Sequence, residues 1–237
     1  MTTCQFAEIE NRYRQLESAG RAVDYAGRSF EHFDLRDFLD ECLPQLEFVR
    51  RPPRVLEYGT GTGPGACYLA ARGYCVDAID RSPTAIAMAR RFAAERGLDI
   101  RFAACDVGDF AAADASYDMV IDSFCLHRII ADADRARLMS KVRRLLAKGG
   151  YYLVGSVILR AGRDYGQERL DPATGVVYSE LAIDATGAAD AVELDGRLYF
   201  ARHRHVSAAF LRGELESAGF AVLKQDSGGG RVLCVRS

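Results

Sequence analysis

A chain of 237 residues is long enough for one domain with a sizeable core, and 49% hydrophobic with 27% charged residues is the composition of a globular fold. A formal net charge of −2 excludes a general electrostatic grip on nucleic acid, which relies on clustered Lys and Arg displacing counterions from phosphates. No apolar run is long enough to span a bilayer, so no membrane partner is expected. Residues 1–17 lack the apolar region of a signal peptide, and seven cysteines form an odd set without a CxxC pair. A reduced, cytoplasmic chain follows from these features.

The first fifty residues read as helices, with Phe30, Phe33, Leu35, Phe38, Leu39 and Leu43 supplying buried contacts. From Arg54 onward, strand-like and helix-like segments alternate, the pattern of an open α/β sheet. The first strand is Arg54 to Tyr58, and Pro64 opens a helix that ends near Gly73. Residues 74–80 form the second strand. Ser82 caps a helix starting at Pro83 and closed by Gly97. The third strand, IRFAA, ends before Asp106, and the fourth, YDMVI, ends at Asp122. A helix starts around Asp132 to Asp134, buries Leu138, Val142, Leu145 and Leu146, and stops before Gly149, with the fifth strand at Tyr151 to Val157. Residues 156–206 interrupt the rhythm as an insertion with two strand-like stretches. A helix over Ser207 to Ser217 and a β-hairpin, FAVLKQ and RVLCVR, close the chain. A single domain over residues 1–237 is expected, with a helical lid at 1–50 and a cap at 156–206.

The decisive stretch is VLEYGTGTGPGACYLA, residues 55–70. Gly59, Gly61 and Gly63 stand between a strand and a helix, where a tight turn and close ligand approach both call for glycine. Glu57, at the strand's end, suits a cationic group such as an α-ammonium better than a pyrophosphate. With this motif the sequence resembles the class I (Rossmann-like) S-adenosylmethionine (SAM)-dependent methyltransferases, over Arg54 to Val157 and Ser207 to Arg236. The resemblance implies a doubly wound, mostly parallel seven-stranded α/β sheet, with SAM as cofactor and S-adenosylhomocysteine as product. It assigns the methionine end to Glu57 and the glycine loop, the ribose to Asp80 with Arg81 beside it, and the adenine to Asp106 and Val107. Asp122 falls next to the methionine moiety and the methyl acceptor.

Two alternatives stand beside this reading. Gly61-x-Gly63-x-x-Ala66 satisfies a relaxed dinucleotide fingerprint with Asp80 near the required distance, which would make the chain an NAD(P)-dependent oxidoreductase. Against it weigh Glu57, the fifty helical residues before the loop, and the terminal hairpin. The other alternative is a SAM-binding partner protein that has lost catalysis.

The segment IDSFCLHRII should run beside the methyl group, and it lacks the N/D-P-P-Y/F motif of base-modifying methyltransferases. The expected acceptor is therefore a small polar metabolite or natural-product intermediate, methylated on oxygen or nitrogen. His127 is the candidate general base, because its ordinary pKa lies near neutrality; a packed or capping histidine is the other reading. Cys125 reads as pocket lining, and Arg128 either orients an anionic group or pairs with Asp132. In the insertion, His203 and His205 share one face of a strand near Tyr199, so they either line the substrate pocket or lie on an exposed strand. No third metal ligand accompanies the His-x-His pair, so no metal is expected. Tyr13, Arg21 and Tyr25 are candidate lid residues. Both monomer and homodimer remain open.

Overall fold

The computed structural model describes residues 2–22, 29–181 and 190–237. Helix α1 (Thr3–Ser18) opens with a capping box in which Thr2 and Gln5 satisfy each other's backbone N–H groups. Helix α2 (Arg36–Cys42) follows, and it turns its apolar side to the sheet through Phe38 and Leu39.

Seven strands form the main sheet: β1 (Arg54–Tyr58), β2 (Cys75–Asp80), β3 (Arg101–Ala104), β4 (Tyr117–Ser123), β5 (Leu146–Gly155), β10 (Phe220–Gln225) and β11 (Arg231–Arg236). Their spatial order is β3-β2-β1-β4-β5-β11-β10. All neighbours pair parallel except β11, which runs antiparallel to both β5 and β10. The order reverses between β1 and β4, which creates a crevice at the strands' C-terminal ends.

Alternate residues of the central strands feed two cores, as strand geometry requires. On one face Leu56, Val120 and Tyr152 pack with Leu138 and Val142 of α5 (Asp132–Leu145) and Leu211 of α6 (Ala208–Ser217). On the other, Val55, Ile121 and Leu153 pack with α2 and with Leu69 of α3 (Pro64–Ala70). Helix α4 (Pro83–Glu95) is capped by Ser82, whose Oγ accepts from the Ala85 N–H at 3.0 Å.

The fifth strand begins earlier than its sequence suggests. Leu145 and Leu146 are both fully buried, and the chain leaves the helix between them. Leu146 pairs with Tyr117, and the register shifts before Met119 pairs with Tyr151. Gly149 takes φ +74° in this irregular stretch, so the glycine pair lies within the strand instead of before it.

The insertion folds as a second, antiparallel sheet of β6 (Arg169–Leu170), β7 (Val176–Glu180), β8 (Ala191–Leu194) and β9 (Arg197–Arg204), in the order β6-β7-β9-β8. It is joined to the core through α1. Gln5 Nε2 donates to the carbonyls of Arg128 and Arg202, each at 3.0 Å, and Arg202 meets Glu8 at 2.8 Å. Arg204 closes the far side on Asp132 at 2.5 Å and on the Ile130 carbonyl at 2.9 Å.

Arg135 of α5 is fully buried, forked onto Glu214 of α6 by two 2.6 Å contacts, and it donates to the carbonyls of Leu126 and Ile129. A buried cation deprived of its carboxylate is far costlier than an exposed one. Glu214→Ala is therefore expected to lower unfolding stability by about 3–5 kcal/mol in urea titrations. A loss no larger than that of an exposed ion pair would show that Arg135 is not anchored through Glu214.

Candidate functional site

A cavity of about 700 Å³ opens in the crevice beneath α1. Its floor is the glycine loop between β1 and α3. Gly61 holds φ +56°, and a Cβ there would lie 2.8 Å from the Tyr13 hydroxyl, so only glycine fits between loop and lid. Gly59 and Gly61 line the cavity, whereas Gly63 does not. A Cβ on Gly63 would come 3.1 Å from that of Ala89, so this glycine allows α3 to pack on α4.

Glu57 lies beneath the loop and is almost wholly buried. Its carboxylate accepts from Thr60 Oγ1 at 2.6 Å and from the Ser123 hydroxyl. Burial pushes its pKa up, and the hydrogen bonds from Ser123 and Thr60 oppose that rise. A Cβ on Gly65 would collide with the same carboxylate, so a fourth glycine completes the cradle. The sequence reading passed over Gly65, Thr60 and Ser123; the Gly-Pro-Gly step at 63–65 was the available signal for the first of these.

Asp80 ends β2 at the cavity wall, accepting from the Gly61 and Ser82 amides at 2.9 Å each. Burial raises its pKa against the pull of those amides. Arg81 also lines the cavity, 3.4 Å from Asp106 across the next strand end, with its guanidinium 5.3 Å from the Phe6 ring centre. Asp106 and Val107 complete that wall.

Asp122 departs from the pattern. It is fully buried and does not line the cavity. Its carboxylate accepts from the amides of Cys125 at 2.6 Å and Leu126 at 3.0 Å, and from the Tyr58 hydroxyl at 2.7 Å. It holds the following loop from below. Burial pushes its pKa up to about 7.

That loop carries the opposite wall. Phe124 adopts φ +58°, a strained conformation for a bulky residue, and Cys125, His127 and Arg128 follow it at the cavity. Burial pushes the Cys125 thiol pKa well up, which makes it a poor nucleophile. Arg128 pairs with Glu8 at 3.4 Å; Asp132, the partner considered from sequence, is taken by Arg204. His127 is buried, and its pKa falls well below the ordinary value, first through burial and then through His203 and Arg128.

The cap residues lie behind this wall. His203 and His205 do not line the cavity but stand next to His127, with ring centres 4.9 and 6.4 Å from it. Tyr199 is buried in the cap sheet under Arg169, away from the cavity. The cause is a β-bulge: Val177 and Tyr178 oppose His203 and Ala201, so Arg202 is extra and the alternation breaks there. Tyr13 lines the cavity, Arg21 is exposed beyond the end of α1, and Tyr25 lies outside the described residues. Phe6 and Ile9 of α1 and Phe33 to Leu35 also line it, a contribution that helix packing alone did not announce. No group of three or more metal-ligating side chains occurs among the described residues.

Residues 55–150 match the family of methyltransferase domains. Around this stretch the mostly parallel seven-stranded sheet has the class I methyltransferase fold. A 2-heptyl-1-hydroxyquinolin-4(1H)-one methyltransferase from Mycobacteroides abscessus is 36% identical over 115 residues, 48% of this chain and 50% of that protein. A demethylmenaquinone methyltransferase from Thermus thermophilus is 34% identical over 154 residues, 63% of this chain and 62% of that protein. The chain thus matches only about half to three-fifths of these relatives' lengths. The fold is shared with a Burkholderia thailandensis 1,6-didemethyltoxoflavin-N1-methyltransferase, solved with its substrate and S-adenosylhomocysteine. The TM-score is 0.61 at 20% identity, covering 100% of this chain and 91% of that one.

Asp122 generates a pH test. Its carboxyl pKa is about 7 in the fold against an ordinary value of 3.8. Between those values the native state binds more protons than the unfolded chain, so this group's contribution to stability falls as pH rises and levels off above about 7. Glu57 and Asp80 add slopes of the same sign. Urea titrations from about pH 4 to 8 should give a stability that declines less with pH for Asp122→Asn than for wild type. Identical slopes in the two proteins would mean that Asp122 is ionised throughout.

Proposed function

We propose that this chain transfers the methyl group of SAM to an oxygen or nitrogen atom of a small molecule. One observation carries the reading. A single cavity is walled at one end by the glycine loop, Asp80 and Asp106, with Glu57 beneath, and at the other by His127 and Arg128. A donor and an acceptor held in that space would meet in line, and alignment is most of what this reaction requires.

The methyl group of bound SAM is already activated by its sulfonium. Glu57 and the loop amides would hold the methionine end, Asp80 the two ribose hydroxyls, and Asp106 with Val107 the adenine. Buried Glu57 also disfavours a pyrophosphate, because an anion brought to the loop would face a carboxylate across a dry gap. The dehydrogenase alternative is correspondingly weakened. At the acceptor end, neutral His127 would take the nucleophile's proton. Phe33 and Phe124 line the cavity with apolar rings, suited to a ring of the kind named for the hydroxyquinolinone and demethylmenaquinone relatives. One domain over residues 1–237 in a reducing cytoplasm belongs to the same reading, supported by seven cysteines without a disulfide.

Calorimetric titration should give micromolar binding of SAM and S-adenosylhomocysteine and none of NAD or NADP. Asp80→Ala should weaken the adenosyl compounds roughly 10- to 100-fold, the worth of lost charge-assisted hydrogen bonds. Binding of nicotinamide cofactors alone would overturn the proposal.

With 2-heptyl-1-hydroxyquinolin-4(1H)-one as acceptor probe, His127→Ala should lower kcat by about 10²–10⁴ while affinity for S-adenosylhomocysteine is kept. An unchanged kcat would remove His127 from the chemistry.

A further inference from the structure

We infer that His127, His203, His205 and Tyr165 form a proton-exit path from the acceptor end of the cavity, through the cap, to the protein surface. The inference rests on the proposed methyl transfer, since that reaction releases a proton inside the cavity.

The four side chains are consecutive neighbours, the last two within hydrogen-bond distance. The His127 and His203 ring centres are 4.9 Å apart, and those of His203 and His205 are 5.7 Å apart with nearly parallel planes. The Tyr165 hydroxyl lies 3.0 Å from His205 Nδ1. Tyr165 itself is only half-buried and stands among exposed residues of the cap loop. The chain of groups therefore begins at the cavity and ends at solvent.

Two atoms point to a use for it. His127 Nδ1 and His203 Nε2 are both buried, and neither has a hydrogen-bond partner. A buried polar atom left unpaired is destabilising, and here two such atoms occur on adjacent rings. The terminal torsion of histidine is broad, so the path requires only that ring rotation bring these two atoms together. Each orphan is then the other's partner.

The charges around the rings favour transfer over storage. Arg128 and Arg135 act on His127, Arg128, Arg202 and Arg12 on His203, and Arg163 with Glu168 on His205. Burial first, and these arginines after it, bring His203 down to about 2 and His205 to about 4. All three rings are thus neutral near pH 7, each with one nitrogen to accept and one to donate.

The step balances as follows. The acceptor's nucleophilic atom bonds to the methyl carbon as the carbon–sulfur bond breaks, its electron pair staying on sulfur. The acceptor's proton passes to His127 Nε2, and the Nδ1 proton of His127 moves to His203 Nε2. His203 Nδ1 hands its proton to His205 Nε2, and His205 Nδ1 hands one to the Tyr165 oxygen. The hydroxyl proton of Tyr165 leaves to water, so no ring retains a charge.

The path can be tested on the full chain with no ligand, by ¹⁵N-histidine NMR of ring N–H exchange with water. His127 should exchange rapidly despite its burial. His203→Phe and Tyr165→Phe should each slow that exchange by at least about tenfold, with backbone amide spectra outside the cap unchanged. Equal exchange in wild type and both variants would overturn the proposal. Should His203→Phe fail to fold, Tyr165→Phe, altered only at the surface end, decides alone. Because no methyl donor is present, this result is independent of the calorimetry that tests the function.

Discussion

A buried loop is the constraint on which this site depends. Residues 123–129 leave the end of β4 and run beneath α1 with little regular pairing, and backbone polar groups cannot be buried without partners. Each partner comes from a different element. Asp122 takes the amides of Cys125 and Leu126, Arg135 takes the carbonyls of Leu126 and Ile129, and Gln5 takes that of Arg128. The hydroxyl of Ser123 binds Glu57 beneath the glycine loop. The segment that presents Phe124, Cys125, His127 and Arg128 is therefore fixed by the core, by α5 with α6, and by the lid together.

This arrangement couples the two ends of the cavity. Glu57 is shared between the glycine loop, through Thr60, and the loop after β4, through Ser123. Displacing either hydroxyl would leave a buried carboxylate less satisfied and would disturb the other wall. The lid is coupled in the same way. Glu10 accepts from Ser82 at 2.6 Å and from Thr84, close to Asp80, while Glu8 pairs with Arg128 and Arg202 on the opposite side. One helix thus contacts the Asp80 side of the cavity, the loop after β4 and the cap through side chains between Gln5 and Glu10.

The glycine-loop side of the cavity was legible in the sequence because its signals are local. Gly59, Gly61, Asp80 and Asp106 follow directly from strand ends, and a strand end is visible as a change of hydrophobic period. Asp122 obeys the same rule yet turns inward. The reason is its register: it pairs with Tyr58 on β1 and Val154 on β5, and the Tyr58 hydroxyl waits beneath it. Register is a property of the assembled sheet, so no spacing along the chain could disclose it. Tyr199 was misplaced for a similar reason, since one bulge at Arg202 changes which strand residues share a face. Gly65 escaped notice because its neighbour is a side chain eight residues earlier in the chain, buried under the loop.

Enclosure and base strength oppose one another at His127. Excluding water sharpens alignment and protects the methyl donor, but it lowers the imidazole's affinity for a proton. The surrounding arginines lower it further, although Arg128, Arg135 and Arg202 are each tied to a carboxylate. An isolated buried histidine in this field would be a poor base, because the imidazolium it formed would be stranded. A second imidazole 4.9 Å away changes the requirement: His127 then needs to hold a proton only while it releases another. The cap packed behind the acceptor wall supplies that second ring, so the element that backs His127 is also the one through which the proton would leave.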